Sequence, residues 1–299
     1  MSDVSGYDLK KLKSGGLMKQ KDGDLFSVRL KLIGGYITAD QLRTLADAAD
    51  SHGVGHVHLT TRQGVEIPGV GYEEIEPLRE SLDETGLQFG ACGARVRTIT
   101  ACQGSLCVYG LIDSQQVAAA VDKRVLDVEG LPHKFKIAIT GCPNGCIKPQ
   151  ENDIGIMGQT WIARDAAKCI DCGLCADTCR PSAFAMDEDT GKLLEDLDLC
   201  RACGRCVHVC PVDALTDVDS GYSVFVGGKM GNEPRFADQL PFKVTSLDTL
   251  LDIISSTLVW YADNGQTKER FGATIDRVGL PELIDHLESA VAIGGKRVS

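Results

Sequence analysis

Apolar and polar residues alternate with a period of two in "LFSVRLKL" (25–32), which predicts a half-buried strand. The spacing turns helical through "ADQLRTLADAADSHG", where Thr38 or Asp40 stands in a capping position and Gly53 ends the segment. "VGHVHLTTRQGVEIPGV" reads as two strands around Gly64, with His56 and His58 on a polar face alternating with Val57 and Leu59. "YEEIEPLRESLDETG" is a second helix ended by glycine. Residues 24–90 therefore predict a compact α+β unit, preceded by a polar, Lys-rich arm at 1–23. Beyond it, "ARVRTIT" (94–100) and "HKFKIAIT" (133–140) read as strands separated by the helix "SQQVAAAVDKRVLD". Periodicity then breaks down. Residues 161–216 are rich in cysteine and turns, after which "YSVFVGG" resumes a strand and two helices close the chain. That segment reads as an insertion into an α/β domain made of 91–160 and 217–299.

Composition narrows the classes. The chain has 299 residues, 31 basic and 42 acidic, for a net charge of -11, which argues against a nucleic-acid backbone as partner. No apolar run reaches the ~18 residues of a membrane span. The first residues lack a signal peptide's apolar stretch, pointing to the cytoplasm. In such a compartment 13 cysteines speak for metal ligation rather than disulfides.

Their spacing is specific. Cys169, Cys172, Cys175 and Cys179 follow C-x2-C-x2-C-x3-C, and Cys200, Cys203, Cys206 and Cys210 repeat it before Pro211. This is the bacterial ferredoxin run, in which the fourth cysteine ligates the other cluster. Cys169, Cys172, Cys175 and Cys210 should thus hold one 4Fe-4S cube, and Cys200, Cys203, Cys206 and Cys179 a second. Zinc sites instead pair two C-x2-C knuckles at a distance. Cys102 and Cys107 in "TACQGSLC", and Cys142 and Cys146 in "TGCPNGC", each follow a predicted strand. Four thiolates on loops at strand ends suit a third cube. Cys92 is left over, as a small buried or free thiol.

The two cysteine pairs, the string G-C-P-N-x-C, and "HLTTRQG" (58–64), "RTITACQG" (97–104) and "LPHKFK" (131–136) in that order resemble the sirohaem-containing sulfite and nitrite reductases. The layout is most similar to the sirohaem subunit of anaerobic sulfite reductases. The first pair departs from the family, being C-x4-C where C-x5-C is common. The resemblance implies a sulfite reductase half-repeat, namely a ferredoxin-like α+β unit plus a sirohaem/4Fe-4S α/β domain, with an inserted ferredoxin domain carrying two 4Fe-4S clusters. It implies sirohaem and three 4Fe-4S clusters, with Cys146 also bridging to the sirohaem iron. It further implies that Arg62, Arg97, Lys134 and Lys136 bind the anion and sirohaem carboxylates, the two lysines being the better proton donors. Lys229 in "VGGKMG" is a further candidate contact to a sirohaem carboxylate, and His208 is read as a surface residue. The implied reaction is six-electron reduction of sulfite to sulfide, with nitrite the alternative substrate. An electron carrier without substrate would account for Cys169–Cys210 but not for the earlier pairs. The donor would be a ferredoxin or an iron–sulfur/flavin subunit, and the working unit a homodimer or larger assembly in which the basic residues of one copy cover the sirohaem beside Cys146 of its mate.

Overall fold

The structure, a computed structural model, describes residues 8–21, 23–90, 92–126 and 128–291. Helix α1 (Leu9–Ser14) begins at Asp8, whose side chain accepts from the Lys10 and Lys11 amides. Strand β1 (Leu17–Lys19) pairs antiparallel with β2 (Leu25–Lys31). The segment read as an arm therefore contributes helix α1 and strand β1 to the first unit, and Leu17 is buried in its core. Residues 1–7 lie outside the described residues. Phe26, Val28 and Leu30 of β2 point inward on alternate positions, as a half-buried strand requires.

Helix α2 (Ala39–His52) is capped by Thr38 in a reciprocal box with Gln41. Asp40, the other candidate, falls in the first turn and pairs with Arg43 at 2.6 Å. Strands β3 (His58–Leu59) and β4 (Val65–Gly71), helix α3 (Ile75–Asp83) and β5 (Gln88–Phe89) complete a sheet of order β1-β2-β4-β3, with β5 also on β2. His56 and His58 are exposed. So is Leu59, which departs from simple alternation: at 72% exposed it points away from the core.

The second unit is built on β6 (Thr100–Ala101), α4 (Ser114–Val125), β7 (Ile137–Thr140) and β8 (Ile154–Arg164). Strands β6, β7 and β8 are parallel neighbours. Only the end of the predicted 94–100 strand is regular; upstream, Val96 makes an isolated bridge to Phe135. The ladder is interrupted because the Arg62 guanidinium donates to the Thr98 carbonyl at 3.0 Å and the Ile137 carbonyl at 3.4 Å, reaching in from the first unit.

After β8 come α5 (Leu174–Thr178), the hairpin β9 (Phe184–Met186) and β10 (Leu193–Glu195), and α6 (Arg205–Val209). They enclose a small core that includes Phe184, Leu193 and Leu215. Strand β11 (Leu215–Val226) then returns antiparallel along β8, from Arg164↔Leu215 to Ile154↔Val226. The cysteine-rich segment thus sits at the far end of a long two-stranded ribbon whose base lies in the main sheet. Strand β12 (Asp238–Gln239) and helices α7 (Leu247–Asn264), α8 (Phe271–Val278) and α9 (Leu280–Ala290) close the fold. The sheet β12-β11-β8-β7-β6 shares one core with α4, α7, α8 and α9, in which Phe135, Tyr261 and Phe271 stack with ring centroids 5.2–5.6 Å apart. Among the described residues no helix is long and apolar enough to cross a membrane.

Candidate active site and cysteine clusters

Parallel strands β6 and β7 end side by side, and each runs directly into a cysteine loop. Cys102 follows β6 and Cys142 follows β7, so the topology delivers the two pairs to one sheet edge. The Cys102 sulfur accepts backbone N–H groups from Gly104 at 3.4 Å and Gly141 at 3.0 Å, and Ser114 Oγ lies 3.4 Å away. Burial opposes ionisation of Cys102, but these hydrogen bonds outweigh it and hold the thiol below its ordinary range. Burial pushes Cys142 up, and the charges of Cys102, Cys146 and Cys107 add to it. The Cys142 sulfur therefore lies within electrostatic reach of the other three. Among the described residues no cysteine group closes to a single-ion site. A four-iron cube, larger than one ion and ligated by four thiolates, suits that donor set better.

The other eight cysteines sort by neighbourhood. Cys169, Cys172, Cys175 and Cys210 line one cavity together with Leu174 and Leu193. Burial pushes Cys206 up to about 12, the charges of Cys200, Cys203 and Cys179 contributing. The fourth cysteine of each run thus lies with the other run. The two runs share backbone form as well: Gly173 and Gly204 precede α5 and α6 at φ 77° and 68°, a left-handed geometry that favours glycine.

The basic residues meet in one place. Arg62, Arg97, Lys134 and Lys136 line a cavity together with Arg29 and Thr60. Arg62 and Lys136 also line a second cavity, with Cys146, Lys148, Asn152 and Met230. Lys134 and Lys136 share a face because Phe135 and Ile137 are fully buried on the other. Arg62 is locked by Asn152 Oδ1 at 2.8 Å and by the two carbonyls described above. Burial, with Arg97 and Arg270 adding, pulls Arg62 down to about 10 against the opposing charge of Asp153. Burial, then Arg62, Arg270 and Lys134, bring Lys136 down to about 8. Lys134 is also lowered, by burial first and then Arg270 and Arg97.

Lys229 lines neither cavity; its ammonium lies 3.7 Å from Glu233, and it is the adjacent Met230 that reaches the Cys146 side. Cys92 is a buried free thiol that accepts from Arg29 at 3.0 Å. His208 is exposed beside Arg205 and Cys203.

Residues that sequence reasoning missed support this site from behind. Gln63 pairs with the Ala101 backbone through both ends of its amide, at 2.8 and 2.9 Å, and so fixes the residue before Cys102. Asp153, fully buried, accepts the Lys136 amide at 2.8 Å and Arg270 at 2.7 and 2.9 Å. Gln63 lies inside the string "HLTTRQG" and could have been found there. Asp153 and Arg270, 117 positions apart, carry no local signal.

Comparison with known proteins adds to this geometry. Residues 92–293 match the family described as the nitrite and sulphite reductase 4Fe-4S domain, and residues 18–85 match the nitrite/sulfite reductase ferredoxin-like half domain. The chain is 34% identical over 278 residues to a coenzyme F420-dependent sulfite reductase of Methanocaldococcus jannaschii, covering 92% of this chain and 44% of that protein. It is 32% identical over 178 residues to one of the subunits of the anaerobic sulfite reductase of Salmonella typhimurium, covering 54% of this chain and 51% of that one. The chain thus spans about half the length of these relatives. Its fold superposes on a crystal structure of dissimilatory sulfite reductase I with a TM-score of 0.72 at 22% identity, covering 88% of this chain and 69% of that one.

Proposed function

The chain belongs to the nitrite and sulphite reductase family, and from that premise we propose that it reduces sulfite to sulfide with electrons delivered through its cysteine-rich insertion. The family carries sirohaem and a 4Fe-4S cluster, and we assign the cluster to Cys102, Cys107, Cys142 and Cys146, an assignment supported by the charges of the other three that act on Cys142. When bound, these groups supply an open iron position and single electrons. We assign two further 4Fe-4S clusters to the crossed cysteine sets of residues 161–216, read as an inserted ferredoxin domain.

The observation that carries the reading is the adjacency of two cavities: the basic one of Arg62, Arg97, Lys134 and Lys136 shares Arg62 and Lys136 as lining with the one that Cys146 lines. Fixed positive charge beside the cluster thiolate is what a small oxyanion needs in order to bind. Arg62, held on three oxygens, is a rigid donor. Lys136 has an ammonium acidic enough near neutral pH to give up a proton as oxygen leaves the substrate as water. An anion bound against it raises its pKa and keeps it charged until that transfer. We place a ferredoxin or an iron–sulfur/flavin subunit as donor, and a homodimer or larger assembly as the working unit.

The test is turnover of sulfite and of nitrite by the anaerobically purified protein with a reduced dye, alongside its visible spectrum. Sulfide formation with a macrocycle band supports the reading. Nitrite turnover alone moves the assignment to nitrite reduction, and absence of a macrocycle in fully iron-loaded protein refutes it.

A further inference from the structure

The two cysteine sets of the insertion are not equivalent in position, and the difference orders them. One cavity is lined by Tyr109, Cys142 and Pro143 of the catalytic loops and by Cys203, Arg205 and His208 of the second run. The Arg205 guanidinium lies over the Tyr109 ring, 4.5 Å from its centroid. The second run is also fastened to the main sheet: the Thr160 amide donates to the Ala202 carbonyl at 2.8 Å, and Thr160 forms a bridge with Cys203. At Gly204 a side chain would meet Thr160 Cγ2 at 3.3 Å, so the contact is close.

The first run is placed differently. Among the described residues, the cavity lined by Cys169, Cys172, Cys175 and Cys210 draws on none before Arg164. Cys172 is exposed, and so are Ile170 and Leu174 beside it, at 60% and 44%. One set therefore faces the catalytic thiolates and the other faces outward.

We propose that the cluster held by Cys179, Cys200, Cys203 and Cys206 is the last relay before the catalytic centre, that the one held by Cys169, Cys172, Cys175 and Cys210 receives electrons from the donor, and that Tyr109 and Arg205 are positioning residues at the junction. This rests on the reading of the insertion as a two-cluster ferredoxin domain. Each passage moves one electron. A one-electron protein donor is oxidised at the Cys172 end, and one electron arrives beside Cys142. Six passages reduce one sulfite, while protons come separately through the basic cavity.

The experiment uses the full-length, anaerobically reconstituted protein, reduced with dithionite and examined by iron analysis and EPR. Cys172→Ser and Cys203→Ser each keep an oxygen ligand and mark one cluster by altered g-values. The cluster marked at residue 203 should show spin–spin splitting with the catalytic cluster, and the one marked at residue 172 should not. Where serine fails to retain a cluster, about four irons are lost. Loss at residue 203 should then leave the remaining insertion cluster unsplit, and loss at residue 172 should leave the splitting intact. Tyr109→Ala combined with Arg205→Gln touches no ligand; iron should stay unchanged while the splitting falls. The opposite pattern, equal coupling of both clusters, or unchanged splitting in the double variant overturns the order. Wild-type protein with only about four cluster irons would instead overturn the two-cluster reading beneath it.

Discussion

Replacing Asp153 by asparagine tests whether the basic cavity is held in place by a single buried carboxylate. Asp153 is fully buried; it accepts Arg270 through two contacts, at 2.7 and 2.9 Å, and the Lys136 amide at 2.8 Å. Asparagine keeps one acceptor and the volume but leaves the Arg270 guanidinium, 13% exposed, without its counter-charge. Removing one partner of a buried pair costs about 3–5 kcal/mol. At roughly 2–4 °C per kcal/mol for chains of this order of size, melting should fall by roughly 6–20 °C. The assay is thermal unfolding of the anaerobic holoprotein with Asp153→Asn, Arg270→Met and the double variant. Because the two groups are in contact, the double variant should lose less than the two singles added together. Activity supplies a second readout. Asp153 is the negative charge that raises Lys136, so its loss lowers Lys136 below about 8. The ammonium form is present below that pKa and lost above it, so the alkaline limb of the rate should move to lower pH. A melting change equivalent to less than about 1 kcal/mol, additive singles, or an unmoved limb would refute the reasoning.

Lys134→Ala and Lys136→Ala should keep the macrocycle spectrum and lose turnover by about 10²–10⁴-fold, as expected for general acids; wild-type rates in both would remove the lysines from the chemistry. Wild-type kcat/KM, which reports the free enzyme, should fall as pH rises through about 8, where Lys136 discharges, and a pH series of initial rates at low sulfite reads this directly. Iron analysis of fully loaded protein should give about twelve cluster irons plus one sirohaem iron. Gln63→Ala breaks both amide contacts to Ala101 and should destabilise by about 1–3 kcal/mol, measured by denaturant unfolding. Mixing Lys136→Ala chains with Cys146→Ala chains should restore no sulfite turnover even after proven subunit exchange, because Lys136 and Cys146 line one cavity of the same chain; recovery would place each site across two chains.

The cysteine spacings were legible because they are local: each run puts three thiols close together in sequence, and both loop pairs follow strands. The basic cluster was legible in its members but not in its meeting place, since Arg62 comes from the first unit and Lys136 from the second. Strand β8 was missed as an element. Ile154–Thr160 is buried on both faces, so "IGIMGQT" shows no alternation to read. The break in the 94–100 strand was illegible for a different reason. It depends on a guanidinium from 36 positions away that takes the carbonyl a ladder would have used. Lys229 was a candidate from its string alone, and the structure places its ammonium 3.7 Å from Glu233.

The charge balance of the cavity shows why such residues are kept together. Arg29 is answered by Glu66 and Arg270 by Asp153, each through a close ion pair. Among the described residues, Arg62 and Lys136 have no carboxylate of their own and share the distant influence of Asp153. Burial, with no close carboxylate to offset it, pulls both down in pKa, which means the folded state holds their charge at a disadvantage relative to the unfolded chain. For Lys136 the sign is definite. Between about 8 and its ordinary value of 10.5, the native state binds fewer protons than the unfolded one, so this group makes stability rise with pH across that window. An evolved core would neutralise such a cluster with one more carboxylate. A site that must accept a small anion cannot, because that carboxylate would occupy the place and cancel the field that the substrate needs.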